Sequence, residues 1–198
     1  IMHVLRSFDI NKPGTKIKNL KGGAIGGSLI QGKFSVGDEI EIKPGILNGK
    51  KKSYESIQTE IISLGTGAGT VDNVKPGGLV AIGTKLDPSL SRSDSLLGSV
   101  IGKPGTLPEN STVSKLEINL FDTAVGTQGD TKVMPVQVGE LLRVNIGTAP
   151  VPAKVSKAKA SDIEIEFRRP VCLFTGGNVA LSRRISERWR LIGAGVVV

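Results

Sequence analysis

The sequence predicts an all-β chain built as two consecutive β-barrel domains. Three observations carry that expectation. No window of about eleven residues or more repeats its apolar positions at i, i+3, i+4 and i+7, the spacing of an amphipathic helix. Short runs of alternating apolar and polar residues recur instead, roughly every ten residues, each bounded by Gly, Pro, Asn or Asp. The stretch Ile101-Gly102-Lys103-Pro104-Gly105-Thr106-Leu107-Pro108 then divides the chain into two halves of the same style.

The chain opens on Ile1-Met2-His3-Val4-Leu5-Arg6, which reads as a strand already under way and leads us to expect a piece of a longer protein. Near Gln31-Gly32 a turn between strands is expected. Gly37-Asp38 feeds the alternating run to Lys43, with Ile40 and Ile42 expected in a core and Glu39 and Glu41 in water. Ile57 to Leu64 and Gly78 to Gly83 are two further strands. The boundary is expected after Lys103, giving domains 1–103 and 104–198, each of about 100 residues and long enough for a barrel with its own core. In the second half, Val113 to Leu120, Leu142 to Ile146 and Asp162 to Phe167 alternate in the same way.

Composition narrows the chemistry. Twenty-six Lys and Arg against 18 Asp and Glu give a net charge of +8, spread over both halves. One Cys and one His exclude a disulfide framework, a multi-thiolate zinc site and a multi-histidine metal centre. A charged fraction of 22% beside 38% hydrophobic residues is that of a globular chain. The 26 glycines are scattered, as many tight turns require. The apolar run Leu191 to Val198 falls far short of the ~20 residues of a bilayer span, and no signal peptide opens the chain. We therefore expect no membrane association, and the lone Cys172 fits a reducing, cytoplasmic location.

No enzyme constellation emerges. Gly27 to Phe34 nearly fits a P-loop, but Phe34 lacks the hydroxyl that binds Mg²⁺, and no helix follows to hold phosphates. Gly65-Thr66-Gly67-Ala68-Gly69 is not followed by the helix a dinucleotide fold needs and is expected to be a loop. His3 sits in a strand, and Cys172 reads as a buried small residue. Asn110-Ser111-Thr112 matches a glycosylation sequon with no sign of secretion. Three segments remain. Gly22-Gly23-Ala24-Ile25-Gly26-Gly27 is either a tight connection between strands or the floor of a ligand site that glycine lets backbone approach. Lys50-Lys51-Lys52, followed by Tyr54, is either a solvated loop tip or a contact for a polyanion or acidic partner. Arg183-Arg184, with Arg188 and Arg190 around Trp189, is either an RNA-facing strand or a surface Arg–Glu network with Trp189 in the core.

Longer strings carry a resemblance. Arg6-Ser7-Phe8-Asp9-Ile10-Asn11-Lys12-Pro13-Gly14, Leu20 to Ser28, Gly37 to Ile46 and Pro76 to Pro88 closely resemble the second domain of the gamma subunit of archaeal and eukaryotic translation initiation factor 2. Val144 to Thr148, Val179 to Ile185 and Trp189 to Gly195 resemble its third domain. The resemblance runs from end to end, and the short loop after Gly45 is archaeal-like.

The resemblance implies an architecture like that of elongation factor Tu, a GTPase domain followed by two β-barrels, of which this chain is similar to the barrels alone. It implies that GTP, Mg²⁺ and a zinc knuckle belong to a preceding domain, that this chain holds no cofactor, and that it is no enzyme by itself. It further implies delivery of initiator methionyl-tRNA to the small ribosomal subunit within an alpha-beta-gamma heterotrimer. The tRNA 3′ end is expected at Gly22, Gly23, Ala24, Ile25, Gly26, Gly27 and Ser28, with Gly78 and Leu79 on the neighbouring strand. Arg183, Arg184 and Arg188 are expected at RNA or the ribosome. The alpha subunit is expected at Lys50, Lys51, Lys52, Tyr54, Ser89, Arg92 and Asp94, and the beta subunit chiefly on the GTPase domain. The elongation-factor relatives carry a charged residue near the place of Leu64 and Gly65, where this chain has none. The same architecture also serves a selenocysteine elongation factor and a sulfate-activating enzyme subunit. A free-standing barrel binding single-stranded nucleic acid would expose several aromatics, whereas Phe8, Phe34, Phe121, Phe167 and Phe174 are mostly expected at core-like positions.

Overall fold

A computed structural model describes residues 1–49, 53–127 and 131–198. They form two compact units, Ile1–Leu107 and Pro108–Val198. No α-helix occurs among the described residues; three single 3₁₀ turns lie at Ile17–Asn19, Pro88–Leu90 and Arg92–Asp94.

The first unit holds β1 (Met2–Phe8), β2 (Ala24–Leu29), β3 (Phe34–Ser35), β4 (Glu39–Asn48), β5 (Ser53–Thr66), β6 (Gly69–Val71), β7 (Asn73–Val74), β8 (Leu79–Thr84) and β9 (Val100–Gly102). The order β4-β9-β1-β2-β8-β5 closes on itself because β5 also pairs with β4; β6 extends β5, and β3 pairs with β7. Closure removes the sheet edges that would invite pairing with another chain. Met2, Val4, Ile25, Ile40, Ile42 and Ile82 fill the interior, each aliphatic side chain contributing about 1.5–3 kcal/mol by leaving water.

The second unit holds β10 (Asn110–Leu120), β11 (Leu141–Ile146), β12 (Ala149–Ala158), β13 (Asp162–Cys172), β14 (Asn178–Ile185) and β15 (Arg188–Val197), closed in the order β10-β13-β12-β11-β14-β15. Leu116, Val144, Val151, Ile165, Leu181 and Ile192 lie in its core. The strand β12 eludes sequence reasoning because Pro150 and Pro152 interrupt its pattern. They are accommodated because β13 pairs with β12 only from Ala153 onward, so the proline stretch is laddered to β11 alone.

Local differences from the sequence expectation have local causes. Ile40 and Ile42 are buried, but Glu41 is buried too. Gly105 N–H donates to Glu41 Oε2 at 3.2 Å, Lys43 Nζ lies 3.9 Å from Glu41 Oε1, and Lys43 donates to the Leu107 carbonyl at 3.4 Å. Residues 103–107 thus fold back over β4, and the first unit ends at Leu107 rather than Lys103. Gly65 to Gly69 is not a loop. β5 runs through it to Thr66, and a tight turn leads into β6. Two phenylalanines, Phe34 and Phe167, are buried, whereas Phe8 and Phe121 are exposed.

Candidate functional site

On the outer face of the first barrel, four neighbouring strands bring small residues into one row. Arg6 on β1 pairs with Gly26 on β2, Gly26 with Ala81 on β8, and Ala81 with Gly65 on β5. Cross-strand partners share a face, and side chains alternate along each strand. Ile25, Gly27, Val80 and Ile82 are buried, so Gly26 and Ala81 face outward. The row Arg6–Gly26–Ala81–Gly65 therefore carries one methyl group between the arginine and its far end. At about 4.8 Å per strand it is about 14 Å long. Leu79, 68% exposed, stands on one side of it, and Phe8, 40% exposed, on the other.

The expected 3′-end residues separate into two groups. A Cβ on Gly22 would lie 1.7 Å from the Thr84 carbonyl oxygen, on Gly23 2.3 Å from Ser91 Oγ, and on Gly27 2.1 Å from the His3 carbonyl oxygen. Those glycines make room for their own barrel. Ala24 and Ile25 are buried. Gly26 is different, since the nearest atom to its Cβ position is Arg6 Cβ at 3.8 Å. Gly26 and half-buried Ser28 are the outward, accessible members, with Leu79 opposite Ser28 and exposed Gly78 just before β8. Gly22 also borders an open cleft of about 750 Å³ beside Ile10, Leu20, Ile62 and Lys85. His3, paired with Ser28, is half-buried, and burial pushes its imidazole below the ordinary value.

Arg6 is held at the end of the row. Its Nε donates to Asp94 Oδ1 at 2.9 Å and Oδ2 at 3.1 Å, while Ser7 N–H donates to Asp94 Oδ1 at 2.9 Å. The Ser7 backbone donor, then the Arg6 side-chain bond, hold the Asp94 carboxyl below its ordinary range. Asp94, expected at the alpha subunit, is therefore engaged within the barrel. Of the other expected alpha-subunit contacts, Ser89 and Arg92 are exposed, with Ser89 N–H donating to Asp87 Oδ1 at 2.9 Å. Tyr54 is half-buried opposite Leu47. Lys50, Lys51 and Lys52 lie outside the described residues.

The arginine cluster divides between two faces. In the β14–β15 hairpin Arg183 pairs with Arg190 and Arg184 with Trp189, and period-2 alternation sends those two pairs to opposite sides. Arg183 is taken up internally. Its Nε lies 2.5 Å from Glu140 Oε1, its Nη2 3.1 Å from Glu140 Oε2, and its Nη1 donates to the Met134 carbonyl at 2.8 Å. Arg183, expected at RNA, is thus engaged in an intramolecular network. Arg184 pairs with Glu187 on the surface, and Arg188 is exposed. Trp189 is half-buried rather than in the core, with the Arg143 guanidinium over its ring at 5.5 Å. Sequence reasoning missed Arg143 and Glu140 because their partnerships depend on pairing with β14, far along the chain.

Residues 112–197 match the family model described as Initiation factor eIF2 gamma, C terminal. Over nearly the whole chain, the sequence is 48% identical to translation initiation factor 2 subunit gamma of Methanocaldococcus jannaschii, covering 99% of this chain and 48% of that protein. The subunits of the same name from Aeropyrum pernix and Thermococcus onnurineus are 48% and 49% identical, over 100% and 99% of this chain and 48% of each relative. The chain belongs to the translation initiation factor 2 gamma family. It spans about half the length of the relatives it matches. The match to the C-terminal model falls on the second barrel, and the extended identity covers both. Among the described residues, no helix is long and apolar enough to cross a membrane.

Proposed function

We propose that these two barrels are the non-catalytic binding part of a factor that carries initiator methionyl-tRNA to the small ribosomal subunit. The observation that supports this reading best is the end-to-end identity to initiation factor 2 gamma subunits. GTP and Mg²⁺ would be held by a preceding GTPase domain, which would also take most of the beta subunit, and the factor would act in the cytoplasm.

Within this chain, the terminal adenosine of the tRNA would lie on Gly26, Ala81 and Gly65, with Ser28, Gly78 and Leu79 at its border. A base and ribose can approach backbone closely there, and flanking Leu79 and Phe8 offer apolar contact. Arg184 and Arg188 remain as the RNA or ribosome contacts. Ser89 and Arg92, with Lys50, Lys51, Lys52 and Tyr54, remain as the alpha-subunit contacts.

Calorimetric titration of the chain with the alpha subunit tests the assembly part of the reading. Saturable heat is expected, with binding of full-length initiator tRNA weak because half of its 3′-end site lies elsewhere. Absence of heat with the alpha subunit would count against the reading.

A further inference from the structure

Proline and glycine make the stretch 101–108 look like a linker, yet residues 103–107 are seated in a place built for them. On β4, Ile40 and Ile42 point into the core, and on β9 so does Ile101. Glu41 pairs with Gly102 and Lys43 with Val100, so alternation puts these four on the outer face of the barrel. Glu41 and Lys43 are nevertheless only 6% exposed each, and Val100 and Leu107 are buried as well. Residues 103–107 turn at Gly105, whose φ of 74° suits glycine. Thr106 closes the turn, donating to the Lys103 carbonyl from N–H at 3.1 Å and from Oγ1 at 2.7 Å. Leu107 then lies against Gly102, where a Cβ would come 2.6 Å from Leu107 Cδ2. The two charges grip the backbone of this turn. Glu41 Oε2 accepts from Gly105 N–H at 3.2 Å, and Lys43 Nζ donates to the Leu107 carbonyl at 3.4 Å.

Taking an ion pair out of water gains little stability, and an apolar pair of like volume often serves as well. What an apolar pair lacks is direction. A carboxylate takes N–H donors and an ammonium takes carbonyl acceptors at set distances, so the turn can settle in one register only. We propose that Glu41 and Lys43 form a latch that makes residues 103–107 a rigid strap on the outer face of β4 and β9. The strap fixes the point at which the chain leaves the first barrel, in a stretch whose composition would otherwise make a mobile linker. Glu41 and Lys43 are its positioning residues, and Gly102 supplies the seat for Leu107.

The test is NMR on the isotopically labelled 198-residue chain. Amide order parameters are measured from Gly102 to Leu107, with hydrogen exchange at Gly105 reporting the strap and at Ile42 the barrel. Wild type is expected to give order parameters of about 0.85 over the strap, those of rigid backbone. E41M/K43L replaces the pair by apolar chains. Its urea midpoint and Ile42 exchange should stay near wild type, while order parameters from Gly105 to Leu107 fall below about 0.6 and Gly105 exchanges about tenfold faster or more. Should that variant fail to fold, E41Q keeps the shape and removes the charge, and is expected to speed Gly105 exchange about fivefold, with Ile42 little changed. Wild-type order parameters below about 0.6 from Gly105 to Leu107 would reveal a hinge and overturn the proposal. So would Gly105 exchange that stays as in wild type in the folded apolar variant, or in E41Q if it alone folds. Equal acceleration at Gly105 and Ile42 would overturn it too, because the pair would then serve the barrel as a whole rather than the strap.

Discussion

Arg183 on β14 and Glu140, just before β11, form a two-pronged ion pair, with Nε to Oε1 at 2.5 Å and Nη2 to Oε2 at 3.1 Å. Their side chains are 18% and 19% exposed. The pair is further tied by the Met134 carbonyl, which accepts from Arg183, and by Gln137 N–H, which donates to Glu140. R183Q would leave Glu140 partly buried without its cation. A loss of about 2–3 kcal/mol in unfolding free energy is expected by urea denaturation, with RNA affinity unchanged. A stability equal to wild type would refute the structural role.

The glycines of the 22–28 segment should respond in opposite ways. G27A drives a Cβ to 2.1 Å from the His3 carbonyl oxygen, and G22A to 1.7 Å from that of Thr84. Backbone must shift in both, at a cost of at least about 1–3 kcal/mol. G26A meets nothing closer than 3.8 Å, so its melting temperature should stay near that of wild type. Equal effects at the three positions would contradict the close approaches described.

Asp94 makes the first barrel sensitive to acid in a defined direction. The Ser7 N–H, followed by the Arg6 side chain, lowers its pKa in the folded state. The unfolded chain therefore binds its proton first, at about pH 3.9. The stabilisation is fully present above that value and is lost as pH falls through the lower folded pKa. D94N should flatten this part of the stability profile between about pH 5 and 2. A carboxyl carbon resonance of Asp94 titrating at the ordinary value in wild type would contradict the assignment.

Trp189 is the sole tryptophan of the chain, and the Arg143 guanidinium lies over its ring. R143A removes that cover and opens the indole to water. Its fluorescence emission should move to longer wavelength, with a stability loss of about 0.5–2 kcal/mol from the cation–π contact. An unchanged emission maximum would show that Arg143 does not shield the ring.

Much of this was legible in order along the chain. The alternation around Ile40, Leu116 and Ile165 identifies strands because burial on one face and water on the other impose a period of two. The Arg6 to Gly14 and Trp189 to Gly195 strings indicate the family without any coordinates. Less legible were Glu41, whose polar side chain is covered by residues 103–107, and β12, whose prolines look like a strand break until the short reach of β13 is seen. The Gly22 to Ser28 run looks uniform in sequence, yet Thr84, Ser91 and His3 fill the space beside Gly22, Gly23 and Gly27 and leave Gly26 open.

By itself, the sequence determined that the chain is all-β and to which family it belongs, because turn residues and alternation act over a few neighbours. The tertiary structure decided which residues share a face. Arg183 and Arg184 are adjacent in sequence but point to opposite sides of β14, one into the network with Glu140 and the other to the surface. Arg6, Gly26, Ala81 and Gly65 are far apart in sequence but stand in one row. The reason is register. Pairing between distant strands sets it, and a shift of one residue would exchange the two faces of every side chain in the strand.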